Sequence, residues 1–480
     1  MSKPRPIVRR FVALTALSLT LAACQSTPTA PPVLDVPVAS GGTAPALERW
    51  WTAFDDSTLS ALIDEALANN IDLQTAMSRV DLARSNVLLA QSSLYPSLGL
   101  GVDPSRSRTT LAGWQPLPAG FNPIHNDYLV ALRASYEVDL WGRYHAGAAA
   151  ARQDLLATAY ARETVRTAVT AETARAYFGL LAADAELALL RETLTAREQT
   201  IALQDELFRA GVIGDFDLQR AQAEQAAVTA NVAAAERAVG GYESALAAIL
   251  GRSPRQVFDV RIVREATPAR LLGVPAVPAD LPSDLLERRP DVKQMEAQLA
   301  AASLRIDAAR AQYFPSLSLT ASYGSESAAL RNLFSAPGLI WGVGATLLQP
   351  LIGLKAIEAN VEAETARRQA AVLGYTQTVQ TAFRETRDAL TANRTTREAL
   401  AAQTERAGKL KSALSLAEMR YRAGYSGYLD VLDAQRQLLQ AQTQQILAAR
   451  DVRFALIDLA KAMGGGWDYR AVPASEGASQ

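Results

Sequence analysis

The chain has 480 residues, 49% of them hydrophobic, and a formal net charge of −1. This charge balance argues against a nucleic-acid-binding protein, and the single cysteine, Cys24, excludes a disulfide within the chain. Beyond the N-terminal segment, no apolar run reaches the roughly 18 residues that a transmembrane helix needs. The many apolar residues must therefore pack in a core, contact a partner, or contact lipid from a structure other than a transmembrane helix.

The N-terminus has the pattern of a bacterial lipoprotein signal. Basic residues precede an apolar run that starts at Phe11, and the letters LAAC end that run at Cys24. The pattern predicts a signal peptide over residues 1–23 with lipid attached to Cys24, and an ordinary signal with an incidental cysteine is the alternative. Gln25, in place of an aspartate, implies delivery to the outer membrane. Residues 24–46 are rich in Pro, Ser, Thr and Gly and are expected to form a flexible tether.

Two long phrases of the sequence occur twice. FRAGVIGDFDLQRAQ begins at Phe208, and its counterpart YRAGYSGYLDVLDAQ begins at Tyr421. SSLYPSLGL at 92–100 is matched by AQYFPSLSL at 311–319. The period is far too long for a solenoid, so the pattern indicates an internal duplication.

Each repeat is expected to contain a helix, two strands, a very long helix, a tight turn and a returning helix. The predicted layout has four parts after the tether: a first repeat over 47–251, a connector over 252–283, a second repeat over 284–466 and a C-terminal tail over 467–480.

Two segments in each repeat alternate apolar and polar residues, as strands between two different media do. The predicted strands lie at about 97–111, 126–141, 315–325 and 338–349. A half-buried sheet in a soluble protein is one interpretation. The strand lengths favour transmembrane strands instead, as do four aromatic residues that would lie near the membrane interfaces. These aromatic residues are Tyr128, Tyr136, Tyr323 and Trp341.

The number of strands has a consequence for assembly. Four strands cannot close a membrane barrel, since the smallest such barrels have about eight. An open sheet edge in lipid would leave backbone groups unpaired where there is no water to bind them. If the strands span a membrane, the chain must therefore oligomerise, and two copies would supply about eight strands and three copies about twelve.

Long proline-free stretches predict unusually long helices. No proline occurs between Pro123 and Pro254, or between Pro350 and Pro473. Residues 143–210 would form a single helix about 100 Å long, which is longer than a globular core of this size uses. Because alanine is abundant along these stretches, neighbouring helices can approach closely. The two repeats are therefore expected to supply the walls of a helical tube.

Each RAG phrase is expected to form a tight hairpin turn between two helices. Gly211 and Gly424 stand where a helix must end, and glycine tolerates the left-handed conformation found there. Asp215 and Ser426 are candidates to cap the returning helices. The two turns are expected to lie at the far end of the helices from the strands.

Asp430 and Asp433 lie three residues apart, on one face of the second returning helix. They can complement the positive end of that helix. In a closed oligomer they would also form stacked rings of carboxylates at a narrow mouth. Such rings favour cations and would make closure sensitive to pH and divalent ions.

Four segments together resemble the TolC-like outer-membrane efflux proteins, in particular the NodT-type lipoprotein branch that works with resistance-nodulation-division pumps. They are WWTAFDDSTLSALIDEAL, LLERRPDVKQMEAQLAAASLRIDAARAQYFPSLSL, YRAGYSGYLDVLDAQ and AMGGGWDYR. The resemblance covers nearly all of the mature chain. It implies a mainly α fold with a membrane β-barrel portion, in which a homotrimer forms a barrel of about twelve strands on a long periplasmic α-helical barrel.

The same resemblance assigns roles to residues of the two turns. It implies a periplasmic gate formed by Tyr421, Asp430 and Asp433. Ser426 stands where TolC itself has a gate arginine, which puts a tyrosine–aspartate–arginine latch in doubt. The turns are implied to contact a periplasmic adaptor (membrane fusion) protein through Arg209, Gly211, Gly214, Arg422, Gly424 and Gly427.

The predicted function is the outer-membrane channel of a tripartite efflux system, a passive exit duct for small molecules. The chain would be lipid-anchored at Cys24 in the outer membrane of a Gram-negative bacterium and extend into the periplasm. Its partners would be the adaptor and the pump, and no cofactor is expected. The alternatives are a type I protein-secretion channel and, less favoured, a non-conducting coiled-coil scaffold. With only His125 and His145, no phosphate-binding loop and no nucleophile elbow, an enzyme is not expected.

Overall fold

The computed structural model describes residues 48–110, 112, 118, 122–264 and 288–466. The signal peptide, Cys24, the tether, the connector beyond residue 264 and the C-terminal tail, all assigned from the sequence, lie outside the described residues. Within the described part the chain is mainly helical, with one four-stranded sheet.

The two repeats contain the same kinds of element in nearly the same order. The first repeat has α1 (Ser57–Asn69), α2 (Ile71–Ser92), β1 (Ser97–Arg108), β2 (Ile124–Val138), α3 (Arg143–Arg209) and α4 (Asp215–Ile249). The short helix α5 (Pro254–Phe258) follows. The second repeat has α6 (Pro290–Arg310), β3 (Ser316–Ser327), β4 (Leu339–Leu348), α7 (Leu354–Arg422) and α8 (Tyr428–Ala462).

The very long helices predicted from the sequence are confirmed. The helices α3 and α7 have 67 and 69 residues, which corresponds to about 100 Å for each. Each is followed by a tight turn and a returning helix of 35 residues. None of the helices in the described residues has the length and apolar content that a membrane crossing requires.

The first predicted helix is divided in two at Asn70. The backbone of Asn70 is extended, with ψ of 129°. Its Oδ1 accepts a hydrogen bond from the Leu73 amide at 3.0 Å, and its Nδ2 donates to the Ile249 carbonyl at 2.8 Å. One side chain therefore caps the start of α2 and satisfies a carbonyl at the end of α4. Helical spacing of apolar residues continues across the break and does not reveal it.

The four strands form one antiparallel sheet in the order β1-β2-β3-β4. The register places apolar residues of neighbouring strands on one face: Leu100 opposite Leu132, Leu132 opposite Tyr323, and Tyr323 opposite Trp341. The other face carries mainly glycine, serine, threonine and charged residues. The alternation expected for single strands thus continues across the whole sheet, and the observed strand ends fall within a few residues of the expected ones.

The described residues form two compact units. One holds the sheet and consists of residues 82–156 and 296–374. The other consists of residues 48–81, 157–295 and 375–466, to the extent that these are described, and holds the main hydrophobic core. In that core Trp51, Leu59, Tyr177, Leu246 and Ile457 are almost completely buried. These residues come from both repeats, so the core of this unit depends on the duplication.

Candidate functional site at the hairpin turns

The two RAG turns have the same backbone geometry. Gly211 and Gly424 adopt φ values of +71° and +76°. Their amides donate to the carbonyls of Phe208 and Tyr421, at 2.9 Å in both turns. The residue after each glycine donates to the carbonyl five residues earlier, also at 2.9 Å. This pair of hydrogen bonds is the Schellman motif, which ends a helix with a left-handed residue.

Each returning helix begins with a glycine at its N-cap. Gly214 and Gly427 have φ values of −83° and −77°, and neither helix has a side-chain cap. The prediction that Asp215 and Ser426 cap these helices is therefore wrong. Asp215 is the first residue inside α4, where its carboxylate complements the positive helix end instead. Ser426 precedes the N-cap, and its hydroxyl is buried with no hydrogen-bond partner among the described residues.

The first hairpin (α3 and α4) and the second hairpin (α7 and α8) share a hydrophobic cluster near the turns. The rings of Tyr421 and Tyr428 pack with their centroids 5.7 Å apart. Burial raises the pKa of the Tyr428 hydroxyl, and the neighbouring Arg197 guanidinium partly opposes this shift. The cluster also contains Ile201, Ala221, Leu414, Ala417, Val431 and Leu432. The two hairpins therefore pack against each other through apolar side chains at this level.

Asp430 and Asp433 lie on the opposite face of α8 from that cluster. Both are exposed, whereas the two residues between them are buried. The Asp433 carboxylate accepts a hydrogen bond from Gln437 Nε2 at 2.6 Å. Within one chain, the structure thus brings Tyr421 into the packed cluster and leaves the two carboxylates at the surface.

Arg209 and Arg422 occupy equivalent places before the two turn glycines. Arg209 pairs with Asp205 at 2.6 Å and Arg422 pairs with Glu418 at 3.5 Å, in both cases one helical turn back. The arginine side chains are mostly exposed. Apolar side chains are exposed beside them, namely Val212, Phe216 and Tyr425. Each turn therefore presents a cation next to apolar surface.

Two buried polar residues of α3 near the turns contact the second hairpin and were missed by sequence reasoning. Arg197 is 3% exposed, and its Nη1 donates to Gln435 Oε1 at 2.5 Å. Gln204 is 1% exposed, and its Nε2 donates to the Tyr421 hydroxyl at 3.4 Å. Arginine is frequent along this helix and other glutamines occur on it, so no local pattern distinguishes the buried ones. The described residues contain no group of side chains that could hold a metal ion.

Solved structures of outer-membrane channels share the fold of this chain. The Campylobacter jejuni CmeC outer membrane channel is similar in structure, with a TM-score of 0.85 and 26% identity over 92% of this chain and 96% of that chain. A membrane protein of Pseudomonas aeruginosa is similar as well, with a TM-score of 0.84 and 33% identity over 91% of this chain and 99% of that chain.

The sequence profile of the Outer membrane efflux protein family matches residues 62–252 and again residues 281–465. The chain belongs to this family. It is 34% identical to the outer membrane protein OprJ of Pseudomonas aeruginosa over 481 residues, covering 95% of this chain and 96% of OprJ. It is also 34% identical to the solvent efflux pump outer membrane protein SrpC of Pseudomonas putida over 425 residues, covering 88% of each chain.

The chain is accordingly an outer-membrane channel of an efflux system. SrpC and other relatives are named as outer membrane proteins of efflux pumps, which does not favour the protein-secretion alternative.

Proposed function

We propose that three copies of this chain form a passive exit duct for small molecules through the outer membrane. The observation that carries the proposal is the sheet: one face is apolar across all four strands, and β1 and β4 each pair on one side only within the described chain. In lipid, such edges need partners. A barrel of about eight strands has an interior that side chains fill, so two copies would leave no duct, whereas three copies supply about twelve strands.

The transported compounds are proposed to be small molecules. Relatives in Pseudomonas putida carry the names of solvent, toluene and antibiotic efflux pumps, which supports this class without selecting one compound. The chain is not proposed to be an enzyme. A resistance-nodulation-division pump in the inner membrane would supply the work, and a periplasmic adaptor would connect the pump to the duct. Lipid at Cys24 and the tether over residues 24–46 would anchor each copy to the outer membrane.

The gate is proposed to involve Tyr421, Asp430 and Asp433 at the second hairpin turn. The exposure of both carboxylates supports this, because in a symmetric trimer each would form a ring around the axis. The adaptor is proposed to contact the exposed turn surfaces, where a cation lies beside apolar side chains. The residues proposed for that contact are Arg209, Gly211, Gly214, Arg422, Gly424 and Gly427.

The first experiment measures the mass of the full lipidated protein in detergent and then single-channel currents in a planar bilayer. We expect a trimer whose small conductance is blocked by divalent cations. Metabolic labelling with palmitate, compared between the native chain and Cys24→Ala, tests the anchor in the same preparations. A monomer that never conducts would contradict the proposal.

The duplication supplies a matched control for the gate. Asp217 occupies the position in the first hairpin that Asp430 occupies in the second. The double substitution Asp430→Ala with Asp433→Ala is expected to raise the conductance, weaken the block by divalent cations and increase the leak of large antibiotics into cells lacking the pump. Asp217→Ala is expected to change none of these. Equal leak in the double variant and the native chain would remove Asp430 and Asp433 from the gate.

A further inference from the structure

We propose that Arg106 and Arg108, at the outer end of β1, bind the phosphate groups of a phosphorylated glycolipid in the outer leaflet of the membrane. This inference rests on the proposed channel function, in which the apolar face of the sheet contacts lipid. It adds a binding site for a lipid headgroup on the outer surface of the barrel, once on each copy of the chain.

The charged residues of the four strands are divided unequally between the two faces of the sheet. On the polar face, Arg133 of β2 donates to the Asp103 carboxylate of β1 at 2.8 Å. The remaining carboxylates of the strands also lie on the polar face, at Asp127, Glu137 and Glu326. The apolar face of the described strands has only two charged residues, Arg106 and Arg108. In the proposed barrel both therefore lie on the lipid side.

The two ends of the sheet have different connections. At one end the strands join the helices, and at the other end loops connect β1 to β2 and β3 to β4. In the proposed channel the helices extend into the periplasm, so the loop end of the sheet faces the outside. Arg108 is the last residue of β1 at this end.

The two arginines lie beyond the apolar band of the sheet. On β2 the apolar face runs from Val138 to Tyr128, about 34 Å along the strand. At the usual strand tilt this is about 25 Å across the membrane, the height of the lipid-facing band of membrane barrels. Tyr128 is opposite Pro104, so Arg106 and Arg108 follow about 5 Å and 10 Å further out. This is the level of the lipid headgroups rather than of the acyl chains.

The chain supplies no anion to either arginine among the described residues. Both side chains are exposed and neither has an ion pair there. The segment between β1 and β2 has no aspartate or glutamate in its sequence. Arginine presents a planar set of donors that matches the oxygens of a phosphate group. Because the two positions are about 7 Å apart on one face of the strand, both side chains can contact the same headgroup.

The loop between β3 and β4 supports a lipid contact at the same end of the sheet. Arg331 is exposed in this loop, and the neighbouring Leu330 and Phe334 are 65% and 80% exposed. Cations next to exposed apolar side chains are typical of segments that lie at a membrane interface. In the proposed trimer β4 of one copy would pair with β1 of the next, which brings this loop near the two arginines of that β1.

The test titrates the full lipidated trimer in detergent with lipid A, a phosphorylated glycolipid, and counts the bound lipids by native mass spectrometry. We expect lipid A to bind more tightly than the same lipid after its phosphates are removed. Arg106→Gln with Arg108→Gln should weaken the binding of lipid A about thirtyfold, because each basic residue near a membrane surface contributes a factor of about five. Arg106→Lys with Arg108→Lys keeps both charges and should retain most of the binding.

Arg133→Gln is the matched control, because it removes a cation from the polar face of the neighbouring strand. We expect it to leave the binding of lipid A unchanged. A higher salt concentration should weaken binding to the native trimer much more than to the variant with Arg106→Gln and Arg108→Gln, since salt screens exposed charges. The yield of heat-resistant trimer shows that each variant assembles.

Two results would overturn the lipid site and leave the channel function in place. One is binding of lipid A at the native level in trimers that carry Arg106→Gln and Arg108→Gln and conduct. The other is an equal loss of binding in Arg133→Gln. If the double variant does not assemble, Arg108→Gln alone decides, with an expected loss of about fivefold. A native protein that is monomeric and never conducts would overturn the channel function, and the lipid site with it.

Discussion

The ring of Tyr242 in α4 lies directly against the Cα of Gly179 in α3. A Cβ placed at residue 179 would lie only 2.4 Å from Cε1 of that ring. Glycine inside a helix lowers helix stability by about 1 kcal/mol relative to alanine. The close approach of the tyrosine explains why a glycine occupies this place in a helix otherwise rich in alanine. The contact fixes the spacing of the first hairpin beside the main hydrophobic core.

Gly179→Ala is therefore expected to destabilise the protein although alanine favours a helix. The added methyl group would force the Tyr242 ring or the helix to move, at a cost of about 1–3 kcal/mol. Thermal unfolding in detergent measures the change. Gly240→Ala is the control, because a Cβ at residue 240 meets nothing within 4 Å in the same helix pair, and we expect it to stabilise by about 0.5–1 kcal/mol. Similar shifts for both variants would contradict the role of the ring.

The two glycines of the second turn are expected to differ in their tolerance of alanine. Gly424 has a φ of +76°, whereas Gly427 has a φ of −77°. Gly424→Ala should cost about 1–2 kcal/mol locally, because the left-handed region is unfavourable for alanine. Gly427→Ala should be nearly neutral. Hydrogen exchange of the amides around residues 420–430 measures this local destabilisation, and we expect faster exchange in Gly424→Ala than in Gly427→Ala. The opposite order would contradict the prediction.

Arg453 is a buried cation in the main hydrophobic core. Its guanidinium lies 5.3 Å from the centroid of the Phe178 ring. Burial lowers the pKa of Arg453 to about 10, an effect that the Asp56 carboxylate partly offsets, so the side chain remains charged at neutral pH. Because the net shift shows that the buried charge lowers stability even beside Asp56, we expect Arg453→Met to be neutral or to raise the free energy of unfolding by up to about 3 kcal/mol. Adding Asp56→Asn, which keeps a helix-capping side chain, removes the carboxylate that Arg453→Met leaves without a cation and should raise stability further.

The pH dependence gives a second check on Arg453. The pKa of Arg453 in the folded chain lies below its ordinary value, so the charged form lowers the free energy of unfolding. This cost is present at every pH at which the side chain is charged, and it decreases only as the pH rises above about 10. The difference between the native chain and Arg453→Met should therefore stay constant between about pH 6 and pH 9. Arg394→Met, which removes an exposed pair with Glu398, is the control and should cost less than about 0.5 kcal/mol.

Arg264 joins the two helices of the first hairpin to the segment that follows α5. Its Nε and Nη2 contact the Asp184 carboxylate at 2.5 Å and 2.9 Å, and Nη1 contacts Glu243. The hydrogen bonds that Arg264 donates to Asp184 and Glu243 raise its pKa, and burial partly opposes this shift. Arg264→Met would leave two nearly buried carboxylates facing each other, so we expect a loss of about 3 kcal/mol and faster hydrogen exchange at residues 260–264. Arg261→Met, an exposed arginine of the same segment, should have little effect.

The two faces of the sheet are expected to respond differently to a cation. Val343 lies on the apolar face, whereas Thr320 lies on the polar face. If the apolar face contacts lipid, Val343→Arg should lower the stability of the assembled barrel by about 2–4 kcal/mol. Thr320→Arg should assemble normally and change only the conductance. The yield of heat-resistant trimer on gels measures assembly, and equal yields from both variants would contradict a lipid contact of this face.

Several features of the fold follow from the sequence because local rules determine them. Alternation with a period of two separates the faces of a strand, and the register then aligns Leu132 with Tyr323 and Trp341 as that alternation requires. Glycine at the end of a long helix predicts the left-handed residues Gly211 and Gly424. The internal duplication can be recognised from the amino-acid sequence alone, and the family profile matches the chain twice.

The errors in the sequence-based expectations arise where a residue's partner is distant in the chain. Asn70 divides the first helix because its side chain also contacts the Ile249 carbonyl, 179 residues away. Asp215 and Ser426 were expected to be caps because polar residues favour that position, but each stands one residue away from the actual N-cap glycine. The packed hairpin requires a particular backbone conformation at each helix end. The capping preference of single residues therefore predicts the N-cap position only to within one residue.

The sequence by itself determined the class of elements, their order, the two sheet faces and the turns, since each of these depends on spacing over a few residues. Only the tertiary structure decided which of many arginines are buried or partly buried. Arg197, Arg264 and Arg453 look like their exposed neighbours in the sequence, and their partners Gln435, Asp184 and Asp56 lie on other elements. Burial and pairing depend on how distant segments pack together, and that packing decides how each of these three cations affects stability.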